Sequence, residues 1–180
     1  DGFISSFSQT IPLTISENQT VINGYEISNY HEYVENKVFR ASFFSRAANS
    51  FGDDDVRISD RLYVPSKRLR GFERGKIGPV DGVDHVGGNY AAALNLSTNL
   101  PGVLSTLENF DFSYFIDAAN VWGVDYDSSI ADSSFIRSAT GIGMNLLTPI
   151  GPLSFSLSQP ITKKSSDRTE TFRFNLGTTF

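Results

Sequence analysis

The chain of 180 residues carries 15 Phe, 7 Tyr and 1 Trp beside 23 Ser, no Cys, 1 Met and 2 His, at a net charge of −5. That aromatic content excludes a disordered chain, and the missing thiols exclude a disulfide scaffold, a thiolate metal site and a cysteine nucleophile. The longest apolar run, Tyr90 to Leu94, has five residues, far short of the roughly 20 of a spanning helix, and the acidic balance argues against nucleic acid as a partner.

Alternation with period two marks strands from one end of the chain to the other. Over 2–12, Phe3, Phe7 and Ile11 oppose Ser6, Ser8 and Thr10. Over 20–31 the set is weaker, Val21, Tyr25 and Ile27 against Glu26 and Ser28. Over 36–48, Phe39, Ala41 and Phe43 oppose Arg40, Ser42 and Arg46. A long connection, 49–85, follows and is expected to be functional or flexible. Over 86–100, Tyr90, Ala92, Leu94 and Leu96 oppose Asn89, Asn95 and Ser97; over 108–122, Phe110, Phe112, Tyr114 and Ile116 oppose Asp111, Ser113 and Asp117. Over 134–147, Ile136, Ile142, Met144 and Leu146 oppose Arg137, Gly141, Gly143 and Asn145. Over 151–160, Leu153, Phe155 and Leu157 alternate with serines. Over 169–180, Phe172, Phe174, Leu176, Thr178 and Phe180 share one face. Turn residues at 16–18, 100–102, 148–151 and 163–167 separate these stretches. No stretch shows helical periodicity.

Eight long alternating strands fit two architectures. A soluble β-sandwich turns its greasy face inward, whereas a transmembrane barrel turns it toward lipid. Three features favour the antiparallel transmembrane β-barrel: strands long enough to cross a bilayer at a tilt, a polar face bearing Arg40, Arg46, Arg137, Arg173, Asp111 and Asp117, and short turns alternating with longer loops. Tyr30, Tyr33, Trp122, Tyr126 and Phe180 stand near strand ends, as interface girdles do. The basic cluster Lys67, Arg68, Arg70, Arg74 and Lys76 reads as a solvated loop, and so does the acidic run Asp53-Asp54-Asp55. His31 and His85 lie too far apart for a ligand spacing. Neither a metal site nor a catalytic constellation is visible, so no cofactor and no enzymatic activity are expected.

Leu69-Arg70-Gly71-Phe72 in the long connection is followed by Ile77-Gly78-Pro79 and by Val86-Gly87-Gly88-Asn89. Downstream come Phe115-Ile116-Asp117-Ala118-Ala119-Asn120-Val121-Trp122, then Ile136-Arg137-Ser138, Gly141-Ile142-Gly143 and Thr148-Pro149-Ile150-Gly151-Pro152-Leu153. In this order and spacing, 60–180 resembles the barrel of the bacterial surface-antigen family of outer-membrane assembly factors, and 1–59 resembles it more loosely. The resemblance implies a sixteen-strand barrel preceded by periplasmic POTRA domains, of which this chain is the C-terminal half. The opening at Asp1 without a leader is expected on the same ground. The segment 49–85 corresponds to the family's extracellular loop that folds into the lumen.

That loop needs an anchor inside a polar barrel. A guanidinium pairs bidentately with a carboxylate, and Asp117 faces inward by parity, so Arg70–Asp117 is the expected pair, as the resemblance also implies. Gly71 permits positive φ or a close approach, and Phe72 is an apolar plug. Relatives add a glutamate from the strand after the loop; the matching position here is Ser97, so that charge is missing. Ser97 and Arg68 are the candidate supports. The last strand, with Phe172, Phe174, Leu176 and Phe180, resembles the C-terminal signal of outer-membrane barrels, and Gly177 falls where relatives kink. A weak seam there would template incoming strands by β-augmentation.

The implied function is insertion of β-barrel proteins into the bacterial outer membrane, with unfolded outer-membrane proteins, assembly lipoproteins and lipid as partners. The rival readings are a two-partner-secretion or translocation-assembly pore of the same superfamily and a soluble β-sandwich binding protein.

Overall fold

The computed structural model describes residues 1–12, 20–51, 55–102, 110–132, 134–148 and 151–177. Its main element is one eight-stranded antiparallel sheet. The strands are β1 (Gly2–Thr10), β2 (Thr20–Val34), β3 (Lys37–Ser50), β6 (Tyr90–Asn99), β7 (Phe110–Trp122), β8 (Arg137–Thr148), β9 (Gly151–Thr162) and β10 (Phe172–Leu176). They lie in the order β1-β2-β3-β6-β7-β8-β9-β10, so each strand pairs with its neighbour in sequence. A two-stranded hairpin, β4 (Val80–Asp81) and β5 (Asp84–His85), is built from the long connection between β3 and β6. Among the described residues there is no α-helix.

Parity decides what each face meets. Phe3, Phe7, Phe39, Phe43, Leu94, Tyr114, Ile116, Ile142, Leu157, Phe172 and Phe174 all point to one face and are exposed. A soluble sandwich would bury that set, since an exposed contiguous apolar surface this large marks a membrane or partner interface. The opposite face holds Ser42, Phe44, Phe115, Asp117, Ala139 and Arg137, all fully or almost fully buried. The greasy face therefore points outward and the mixed polar face inward, as a membrane barrel requires.

The inner face is not polar throughout. Its buried positions include Ala48, Ala91, Ala93, Ala119 and Ala139, which cluster with Val56, Leu62, Val64, Leu69, Phe72 and Ile77 of the long connection. Small wall residues leave room for a loop to pack its own apolar side chains against them, and that burial is what holds the loop inside.

The structure departs from the sequence reading at several strand ends and in the long connection. The strand expected from 86 begins at Tyr90, because Gly88 instead pairs with Leu62 of the loop in both directions, N to O at 2.7 and 3.0 Å. The loop itself is ordered by short 3₁₀ turns and the hairpin rather than structureless. The last strand starts at Phe172 rather than 169, because the segment before it pairs with the loop.

Candidate functional site

Asp117 belongs to the inward row of β7 together with Phe115, Ala119 and Val121, and its side chain is completely buried. Its register partner on β6 is Asn95. Above them the loop makes a 3₁₀ turn at Ser66–Arg68, buries Leu69, and delivers Arg70 to the wall. Asp117 Oδ2 accepts from the Arg70 backbone N–H at 3.1 Å and from Nε at 2.7 Å. Oδ1 accepts from Arg70 Nη2 at 2.8 Å and from Asn95 Nδ2 at 2.8 Å. Four donors occupy the four lone-pair sites of the carboxylate, so the buried charge is fully compensated. Breaking such a pair from one side costs roughly 3–5 kcal/mol, because the remaining charge stays buried without its partner.

The wall is shaped for the guanidinium. Arg70 Cζ lies 3.3 Å from the centroid of the Phe115 ring, a cation–π contact. The ring has its place because residue 141 is glycine: a Cβ there would fall 2.7 Å from Phe115 Cζ and 2.0 Å from the Leu157 carbonyl oxygen. Gly71 adopts φ of +88°, and a Cβ on it would sit 2.9 Å from Ala139 Cβ. Both the conformation and the clearance exclude a side chain. Phe72 is 2% exposed and packs in the apolar cluster beside the motif.

The candidate supports divide. Arg68 is buried, donates from Nη2 to Glu26 Oε2 at 2.6 Å, and lies over Phe44 at 5.6 Å. Ser97 lines the cavity below the loop, yet among the described residues it does not bond the motif. The neighbour that does is Asn95, one inward position earlier, which donates to both Asp117 and the Arg68 carbonyl. The β6 side chain that completes the anchor is thus a neutral amide donating to Asp117. Of the basic cluster, Arg68 and Arg70 are paired wall contacts rather than solvated charges. Lys67, Arg70 and Arg74 line a cavity of about 600 Å³ together with Arg40 and Arg173, and among the described residues no carboxylate lines it.

A second ionic cluster holds the other loops. Arg137, wholly buried, donates to Asp167 from Nε and Nη2 and to Asn120 Oδ1 at 2.7 Å, and pairs with Asp132 at 2.6 Å. Lys164 adds a contact to Asp132. Inward parity marked Arg137; its carboxylate partners, Asp132 and Asp167, lie in loops that alternation does not reach.

On the terminal strand, Phe172, Phe174 and Leu176 face outward and are exposed, and Phe174 meets Phe155 at 5.1 Å between ring centroids. Gly177 donates to Pro152 O at 3.0 Å and stands outside the positive-φ set. Phe180 lies outside the described residues, as do Asp53 and Asp54. Two of the expected girdle aromatics point elsewhere. Tyr30 faces inward beneath Arg40 at 5.3 Å, and Tyr126 binds Asp81 of the loop hairpin at 2.8 Å. Trp122 stacks on Tyr90 at 5.8 Å near the strand end.

The chain is similar to known proteins along its whole length. It matches the Omp85 superfamily domain over residues 1–180. An outer membrane protein assembly factor BamA of Neorickettsia risticii is 26% identical over 144 residues, covering 77% of this chain and 19% of that protein. The BamA of Neisseria meningitidis is 32% identical over 142 residues, covering 62% and 17%. The human sorting and assembly machinery component 50 homolog is 29% identical over 156 residues, covering 80% and 33%. The crystal structure of BamA from Haemophilus ducreyi lacking POTRA domains 1–3 superposes with a TM-score of 0.87 at 28% identity, covering 96% of this chain and 37% of that one. The chain thus spans less than a fifth of the length of the two bacterial relatives. With an outward apolar sheet, an inward loop and a family match from its first residue to its last, the chain belongs to the Omp85 superfamily.

Proposed function

We propose that this chain is the C-terminal part of the membrane barrel of an assembly factor that inserts β-barrel proteins into the bacterial outer membrane. The observation that carries the reading is the Arg70–Asp117 anchor, which seats a long loop against the inner wall of a sheet whose outer face is apolar. Residues 1–180 form part of the barrel, and 49–85 is its extracellular loop folded into the lumen. The loop's role is to hold the barrel in a state competent for insertion. Its clients are unfolded outer-membrane proteins, helped by assembly lipoproteins and the lipid itself.

The work is non-enzymatic. A client strand entering lipid needs partners for its backbone N–H and C=O groups, because no water is available there. An open strand edge supplies them by β-augmentation. The terminal strand is suited to provide such an edge, since among the described residues β10 has five register pairs with β9, against eleven between β9 and β8. Phe172, Phe174, Leu176, Gly177 and Phe180 belong to this seam strand.

The test is reconstitution of the full-length protein in proteoliposomes with an unfolded outer-membrane barrel as client. Client folding, read as heat-modifiable gel migration, accelerates with the wild-type protein and loses most of that acceleration with Asp117→Ala. Equal client folding with and without the protein would sink the reading. Secretion of a soluble passenger with no effect on client folding would instead favour the translocation pore.

A further inference from the structure

The loop motif touches the wall at two separate places. Arg70 binds Asp117 on β7. One residue on, the Gly71 carbonyl accepts from the Glu170 N–H at 3.1 Å. One residue further, the Phe72 carbonyl accepts from Arg173 Nη2 on β10. Arg173 also donates from Nη1 to the Ser66 carbonyl, while Glu170 Oε2 accepts from its Nε at 3.0 Å and its Nη2 at 2.7 Å. A short antiparallel pairing completes the contact: Phe72 bridges Thr169, Glu73 N–H donates to Arg168 O at 3.0 Å, and Arg168 N–H donates to Lys76 O at 3.2 Å.

β7 and β10 are separated in the sheet by β8 and β9. Three spacings of roughly 4.8 Å lie between them. Three consecutive residues, Arg70 to Phe72, close that span because the Arg70 side chain reaches from the loop to β7 while the Arg173 side chain reaches from β10 to the loop. Arg173 is buried, and its charge is balanced by Glu170, so removing it leaves the Phe72 carbonyl, in a buried contact, without its donor.

We infer that Arg173 is a positioning residue that ties the upstream end of the terminal strand to the loop motif, so that the Asp117 anchor and β10 move as one unit. The tie is one-sided. It grips 168–173, whereas among the described residues the downstream end of β10 at Leu176 and Gly177 is held by its pairing with β9 alone. The terminal strand is therefore fixed to the loop motif at its upstream end. This rests on the assembly reading for its purpose but not for its measurement.

Hydrogen exchange on the full-length protein in lipid nanodiscs tests it. Arg173→Ala is expected to speed exchange at least tenfold at the amides of Glu73, Arg168 and Glu170, and Asp117→Asn is expected to speed the same amides. Arg173→Lys keeps the charge but only a single donor nitrogen, and recovers part of the protection. Unchanged exchange at Glu73 in Arg173→Ala, or at Arg168 and Glu170 in Asp117→Asn, would overturn the tie. Should Arg173→Ala fail to fold, the chain's lack of cysteine offers a second route. Glu73 and Arg168 are exposed and lie opposite each other in the register of the Phe72–Thr169 bridge. A Glu73→Cys/Arg168→Cys pair is expected to oxidise readily in the wild-type background and several-fold more slowly with Asp117→Asn. Equal rates in the two backgrounds would overturn the inference. Client folding enters neither readout, so a failed assembly assay leaves the tie standing and a failed tie leaves the assembly reading standing.

Discussion

Arg70 lies over the Phe115 ring, its Cζ 3.3 Å from the centroid, while the edge of the same guanidinium grips Asp117 two residues along the same strand. One strand thus offers a planar cation both a face and an anion. Lysine cannot meet both at once, because an ammonium is a point charge without a plane to stack or a fork to pair bidentately. The anchor is consequently a property of β7 itself, whose period of two places Phe115 and Asp117 on the same inward row.

Asp117→Asn keeps the shape of the carboxylate and removes its charge. The amide nitrogen then faces a guanidinium donor, and Arg70 is left half-buried without its counter-ion. Loop docking is expected to lose roughly 3–5 kcal/mol. Limited proteolysis within 55–85 should speed up, while heat-modifiable migration of the full-length barrel persists. Unaltered cleavage kinetics would mean that the loop's remaining contacts hold it without the Asp117 charge.

Much of this was readable from residue order. Alternation located all eight strands of the sheet, because one face of each is apolar, and it placed Asp117, Arg137 and Arg173 inward. It could not show the apolar cluster beneath the loop, since that part of the wall is alanine, which carries little contrast against its neighbours. The second support was expected at Ser97 because the match to relatives was read by position, whereas the β6–β7 register sets Asn95 opposite Asp117. Alternation also extended the last strand back to 169, where the chain in fact pairs with the loop rather than with β9.

Asn95 gives a prediction that distinguishes a donor from mere bulk. Its Nδ2 feeds two acceptors, Asp117 Oδ1 and the Arg68 carbonyl, each at 2.8 Å. Asn95→Ala removes the donor and leaves both acceptors short of one bond, a cost of about 1–3 kcal/mol. Asn95→Asp is expected to be worse at neutral pH despite its nearly identical shape, because it sets a second carboxylate against the first. Exchange rates of the Leu69 and Arg70 amides should rank wild type, Asn95→Ala, Asn95→Asp from slowest to fastest. An Asp variant as protected as wild type would show that Arg68 absorbs the added charge.

Gly141 touches the anchor only through what it leaves empty. Gly141→Ala would place its Cβ against Phe115 Cζ and the Leu157 carbonyl, so the ring must shift and the β8–β9 pairing must give. Overpacking of this kind costs about 1–3 kcal/mol. The Arg70 platform should be disturbed although every residue of the ion pair is intact. Faster proteolysis of the loop in Gly141→Ala, suppressed when Phe115→Leu is added, would establish that the glycine serves the ring. Lack of rescue by the second change would place the damage in the β8–β9 ladder instead.

His85 closes the loop hairpin, outside the strands of the main sheet, and its pKa is lowered first by burial and then by the nearby Lys76, with Arg168 adding to it. Asp167 and the Ser166 backbone pull the other way without reversing the direction. A buried Nε2 without a partner among the described residues fits a neutral ring. The sign follows from linkage. The unfolded histidine titrates near 6.5, and the folded one takes up its proton only at lower pH. Below about 6.5 the unfolded loop therefore binds more protons than the folded loop, so acidification favours opening. Above that value both states are neutral and the effect vanishes. After correction for intrinsic exchange, the amides of 80–88 should exchange faster at pH 5.5 than at 7.5. His85→Asn should flatten that dependence. A dependence that survives in His85→Asn would show that the imidazole is not its source.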